Sequence, residues 1–147
     1  NAINLDEKGR LALPTRYRES LFSDADNQVV VTIDTEENCL LMYPLPDWEE
    51  IEAKIEALPS FNPAARRVQR LLIGHASEIT IDNNGRILLP QLLRDYANLD
   101  KQVMLVGQGK KFEIWSAQNW EARREVWLAK ESTGKEALPV ELQTLSL

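Results

Sequence analysis

The reading of this chain turns on NLDEKGRLALPTR, residues 4–16, because TIDNNGRILLPQ, residues 80–91, spells the same pattern again 76 positions later. Each copy passes from a short apolar segment into Asp-x-x-Gly-Arg, then into alternating apolar residues and a proline. An aspartate that opens a turn accepts hydrogen bonds from the backbone ahead of it. A glycine in fourth place takes the left-handed conformation that a type I turn with a bulge requires. Asp6, Gly9, Asp82 and Gly85 are therefore assigned to turn geometry. Strand character at 2–6 and 10–13, and again at 77–82 and 86–89, flanks each turn, and Pro14 and Pro90 suit the first turn of a helix. A duplicated unit of this size predicts that neither copy buries its apolar face alone.

The repeat extends past the turn. Leu13, Tyr17 and Leu21 recur at helical spacing, as do Leu89, Leu93 and Ala97, so each turn predicts a helix with one inward stripe. Residues 28–34 with 39–43, and 101–108 with 111–115, predict hairpins; GQGKK at 107–111 is a hairpin turn and lacks the framing of a phosphate-binding loop. Trp48, Ile51, Ile55 and Leu58 mark a helix buried on one side, and Trp120, Trp127 and Leu128 begin a similar one. PSFNP at 59–63 breaks the chain before a linker helix carrying Val68, Leu71 and Leu72 on one face. The expected organisation is a first half at 1–58, a linker at 59–75, a second half at 76–131 and a C-terminal tail at 132–147. The fold class is α+β.

With 147 residues, 44% hydrophobic and 27% charged, the chain suits one compact domain or two very small ones sharing a core. It contains neither a run of eighteen apolar residues nor a secretory leader, and its single cysteine, Cys39, sits among leucines. A cytosolic protein without a membrane partner is expected. One histidine and one cysteine make no zinc set and no histidine-dependent nucleophile, so no metal, no cofactor, no catalytic residue and no small-molecule substrate are expected. The net charge of −6 argues against a surface that coats polyanions throughout. The acid, however, lies at 34–37 and 47–56, whereas Lys8, Arg10, Arg16 and Arg18 outnumber two glutamates between Glu7 and Glu19.

That local excess makes Lys8, Arg10, Arg16, Arg18 and Arg86 the candidate DNA-binding residues. A guanidinium meets a phosphate or guanine bidentately, which favours Arg10 for base reading, and a lysine supplies a hydrated point charge for phosphate. The alternative is that Arg10 and Arg86 pair with their own turn aspartates, Asp6 and Asp82, as structural ties. Arg18 and Arg94 are open to DNA, to Glu19 or Asp95, or to another subunit. The stripe Arg66, Arg67 and Arg70 is expected to meet the acidic helix at 47–56 rather than DNA, and the four tryptophans are expected in the core or an interface.

DEKGRLALPTRYR, RRVQRLLIGHASE and DNNGRILLPQLLR together resemble the MraZ family of bacterial transcriptional regulators, over essentially residues 3–129. The resemblance implies two tandem AbrB-like, swapped-hairpin β-barrel halves with flanking helices, related by a pseudo-twofold axis. It also implies a non-enzymatic, nucleoid-associated repressor that assembles into a ring. Such a ring would bind direct repeats in double-stranded DNA upstream of the cell-division and cell-wall gene cluster, its own promoter included. Members usually carry a few residues ahead of the first strand, so the edge of the first half is expected to be incomplete at Asn1. Asn83 and Asn84 stand where the first turn has Glu7 and Lys8, which shifts the expected DNA contribution toward the first half.

Overall fold

The computed structural model describes residues 1–22, 25–133 and 139; the expected tail beyond Thr133 lies, Pro139 apart, outside the described residues. The element order is β1 (Ala2–Asn4), β2 (Arg10–Ala12), α1 (Thr15–Tyr17), β3 (Gln28–Ile33), β4 (Leu40–Pro44), α2 (Leu45–Glu56), α3 (Pro63–Gly74), β5 (Ser77–Thr80), β6 (Arg86–Leu88), α4 (Gln91–Tyr96), β7 (Gln102–Gln108), β8 (Lys111–Ser116) and α5 (Ala117–Thr133). The fold is α+β, with every strand pair antiparallel.

One sheet holds six strands in the order β1-β7-β8-β4-β3-β5, and a second, two-stranded ribbon joins β2 to β6. Once corresponding strands of the two repeats are matched, the long sheet reads the same from either end. Strands are exchanged between repeats. Ala2 to Asn4 pair with Met104 to Gln102, and Gln28 to Val31 pair with Thr80 to Ser77. The β-branched run Val29–Ile33 makes β3 a strand buried on both faces.

The two faces of β3 lead to different cores, because successive side chains point to opposite sides. Val29, Val31 and Ile33 join Leu11, Ile87, Leu13, Leu89, Phe22 and Phe112 in the larger core, which lies under the ribbon, α1 and α4. Val30 packs with Trp48 and Ile55 of α2 and with Leu72 and Ile73 of α3. The buried Thr32 hydroxyl is satisfied by donating to the Leu72 carbonyl at 2.6 Å. The ribbon therefore covers one face of the sheet and α2 with α3 covers the other. Asn62 caps α3, its side-chain oxygen accepting from the amides of Ala64 and Ala65, and Pro63 takes the first helical position.

Three expectations change. The first inward-striped helix is a single α-turn followed by a π turn, Arg18–Phe22, whose wider path delivers the fully buried Phe22 to the core. Leu21's side chain lies outside the described residues, whereas Leu89, Leu93 and Ala97 face inward as read. Leu58 and Leu128 are exposed. Leu58 follows the last turn of α2, and Leu128 is one residue round from Trp127, which with Trp120 turns the other side of α5 toward Trp115. Trp115, Trp120 and Trp127 form a mutually edge-packed cluster, and Trp48 is buried under Tyr43, so the tryptophans pack.

Candidate nucleic-acid interface

The two turns have the same hydrogen bonding. Asp6 Oδ1 accepts from the amides of Lys8 and Arg10, both at 2.9 Å, and the Gly9 amide donates to the Asp6 carbonyl at 3.0 Å. Asp82 Oδ1 accepts from Asn84 and Arg86 at 2.9 Å, and Gly85 donates to the Asp82 carbonyl at 2.9 Å. Gly9 at φ 88° and Gly85 at φ 74° occupy the left-handed region. The Asp6 carboxyl is held below its ordinary range, first by the Arg10 amide, with the Arg10 guanidinium and the Lys8 amide adding to it against partial dehydration. The Asp82 carboxyl is lowered in the same way, first by the Arg86 amide.

The structural tie that the sequence left open is present in both copies. Arg10 Nε donates to Asp6 Oδ2 at 2.7 Å and Arg86 Nε to Asp82 Oδ2 at 3.1 Å. Neither guanidinium is sealed, since their side chains keep 29% and 30% of their surface. Among the described residues the side-chain hydrogen bonds of both use Nε, and the two Nη nitrogens of each make none.

Folding brings these arginines together, although 76 residues separate them. In the ribbon Arg10 lies opposite Leu88, Leu11 opposite Ile87 and Ala12 opposite Arg86. Leu11 and Ile87 are fully buried, so the alternate positions Arg10, Ala12, Arg86 and Leu88 share the outer face. The turns also hold each other, the Leu13 amide donating to the Gly85 carbonyl and the Leu89 amide to the Gly9 carbonyl, both at 2.9 Å.

Arg18 and Arg94 complete that mutual hold. Arg18 Nε donates to the Leu13 carbonyl at 3.1 Å and Nη2 to Thr15 at 2.8 Å, and the guanidinium lies flat against Gly85 of the other turn. Arg94 Nε donates to the Leu89 carbonyl at 3.0 Å and its guanidinium lies against Gly9. A Cβ on Gly85 would come within 2.2 Å of Arg18 Nη1, and one on Gly9 within 2.6 Å of Arg94 Cζ. Asp95, a partner weighed for Arg94, instead accepts from Gln91. Lys8 is exposed at the turn tip, and Arg16 sits over the Tyr17 ring with Nη2 donating to its hydroxyl at 2.8 Å.

The charge reading resolves by face. Acidic α2 lies across the sheet from the ribbon, so the net negative charge does not fall on the cationic turns. Arg66, Arg67 and Arg70 are exposed, and among the described residues they make no ion pair with α2 within the chain; α3 is joined to α2 by Gln69, which donates to the Ile55 carbonyl. Sequence reasoning did not foresee that Asp34, Cys39 and Glu113 come together, their ligand atoms within 4.8 Å of one another. Burial, and then Asp34, raise the Cys39 thiol, which donates to Asp34 Oδ2, while Trp115 donates to Glu113; these are the contacts of a satisfied core edge. His75 Nδ1 is 2.7 Å from the Leu71 carbonyl. Among the described residues, no helix is long and apolar enough to cross a membrane.

Comparison with known proteins agrees with this duplicated arrangement. The family described as "MraZ protein, putative antitoxin-like" matches twice, over residues 1–71 and 72–137. A protein of Coxiella burnetii (strain RSA 493 / Nine Mile phase I) named Transcriptional regulator MraZ is 60% identical over all 147 residues, which span 97% of its length. Like-named proteins of Legionella pneumophila (strain Paris) and Halorhodospira halophila (strain DSM 244 / SL1) are 56% and 53% identical, over all of this chain and 97% of each. A family match in both repeats, and relatives this similar along the whole chain, mean that the chain belongs to the MraZ family.

Proposed function

We propose that the chain is a transcription regulator, not an enzyme, that binds double-stranded DNA sequence-specifically through the outer face of its β2–β6 ribbon. The single observation that carries this reading is the placement of Arg10 and Arg86 on one exposed two-stranded surface, from turns that are locked against each other. A two-stranded ribbon fits the major groove. The ties to Asp6 and Asp82 support this role: a guanidinium held through Nε presents its Nη edge in a fixed direction, so less freedom is lost on binding. Lys8 and Arg16 extend the cationic side. Arg18, committed to the partner turn, contributes its charge from behind.

The target, in this reading, is a set of direct repeats upstream of the cell-division and cell-wall gene cluster, including the regulator's own promoter, and the effect is repression. The chain acts in the cytoplasm on the nucleoid. Its two halves, 1–58 and 76–131, form a fused swapped-hairpin pair of barrel halves joined by 59–75. With few cations per chain, one subunit binds weakly and with steep salt dependence. A homo-oligomeric ring overcomes this, because once one repeat is bound the next contact is effectively intramolecular.

The test is binding to tandem-repeat and scrambled DNA across a salt series, with subunit number measured in the same buffer. Arg10→Ala is expected to weaken binding to the repeats by roughly tenfold or more per contact set while the assembly stays intact, in line with about 1–3 kcal/mol for a bidentate base contact. Unchanged binding removes Arg10 from the interface. Loss of the assembly alone makes the arginines an oligomer device.

A further inference from the structure

We propose that Leu88 is a specificity-determining residue that meets the C5 methyl group of a thymine in the major groove. The inference rests on the DNA-binding reading above and names what part of that site recognises.

Leu88 and Leu92 are 55% and 67% exposed. A lone exposed leucine is ordinary. Leu88 is set apart by its position. Leu88 stands on the outer face of the ribbon directly across from Arg10, and cross-strand neighbours have Cβ atoms roughly 5 Å apart. It therefore neighbours Arg10 across the ribbon and Arg86 two residues along its own strand. Packing does not require it there, since Leu11 and Ile87 already fill the inner face. The repeat supplies a control: the positions equivalent to Leu88 and Leu92 in the first half are Ala12 and Arg16. One backbone frame thus presents a small residue and a cation at its first copy and two leucines at its second.

In the major groove the apolar feature of a base pair is the thymine methyl, and it lies beside the acceptors and donors that arginine reads. An apolar side chain that neighbours two arginines on one face fits that pattern. It also gives the ribbon a direction. A twofold-symmetric reader calls for mirrored half-sites. Here a cationic copy and an apolar copy read unlike sequences, so sites repeated in one orientation suit it.

The experiment starts from the double-stranded site that the wild-type chain selects from a randomised library. Each thymine is replaced in turn by deoxyuracil, which removes only the methyl group. Wild type is expected to lose about fourfold in affinity at one thymine per repeat, the worth of one buried methyl. Leu88→Ala should bind the thymine and deoxyuracil sites equally, and Arg10→Ala should weaken binding to both. Indifference of the wild type to every replacement overturns the proposal, as does a Leu88→Ala protein that keeps the sensitivity. A Leu88→Ala change in subunit number with the deoxyuracil response unchanged also overturns it and assigns the leucines to a subunit contact. If no site is selected at all, the DNA-binding reading fails and the thymine contact with it. If a site is selected in which no methyl matters, the thymine contact alone fails.

Discussion

The turn at Asp6–Arg10 and the turn at Asp82–Arg86 share their backbone bonds, their left-handed glycine and their arginine–aspartate tie, yet differ at three neighbouring positions that include the exposed tip and the outer face of the ribbon. Lys8, Ala12 and Arg16 of the first answer to Asn84, Leu88 and Leu92 of the second. What was kept is the frame, and what diverged is the surface it presents. The frame has a physical reason to be kept. Each glycine is covered by the arginine of the other copy, Arg94 over Gly9 and Arg18 over Gly85, so a change in either turn is felt by both. The outer positions Lys8 and Ala12, with Asn84 and Leu88, cover no glycine of the other copy and have diverged.

The comparison can be broken most forcefully at the seam. Leu11→Ala and Ile87→Ala each remove a fully buried side chain from the shared ribbon and should destabilise the protein by about 2–5 kcal/mol. Urea unfolding should show the two losses to be similar and the transition single. Two separate transitions would mean that the copies unfold independently. Next come Gly9→Ala and Gly85→Ala, each expected to lower stability by about 1–3 kcal/mol from left-handed strain. The larger loss should fall at Gly85, where the arginine is closer. Adding Arg18→Ala should relieve part of the Gly85→Ala loss and none of the Gly9→Ala loss, which a double-mutant cycle measures.

A smaller change sharpens the difference between the surfaces. Lys8→Asn makes the first turn like the second and should reduce the slope of log affinity against log salt by about 0.9 per chain engaged. Asn84→Lys should steepen it, and a slope that ignores both substitutions would remove these positions from the DNA face. The smallest effect concerns acid. Both turn carboxyls are depressed from an ordinary value of 3.8 when folded, so the stability they give is present above that value and drains away as pH falls through the lower folded one. Asp6→Asn and Asp82→Asn keep an acceptor for the two amides and should flatten the acid limb of the urea midpoint to the same degree. Unequal flattening would show that the two ties are not equivalent.

The turns were legible in the sequence because everything that makes them is local: Asp6 and Asp82 bond amides two and four residues ahead, and the glycines follow at a fixed offset. The second helix was legible for the same reason, through Leu89, Leu93 and Ala97. The first was less so, since its period changes at the π turn that seats Phe22. The pairing of β2 with β6 was not foreseen, because strands 76 residues apart leave no local signal of their register. The place of Arg18 against Gly85 had no local signal at all, because it depends on a turn from the other copy. Leu88 left a trace in the sequence, a large apolar residue matched to an alanine. Only the ribbon register shows that it points outward beside Arg10.

The exchange of edge strands also sets a timetable for synthesis. Ala2 finds its place beside Met104, so β1 emerges from the ribosome long before its neighbour exists. The β2 segment waits for its partner until Leu88 has been made and the first strand until Met104 has, and chains growing side by side on one messenger have the same open edges to offer one another.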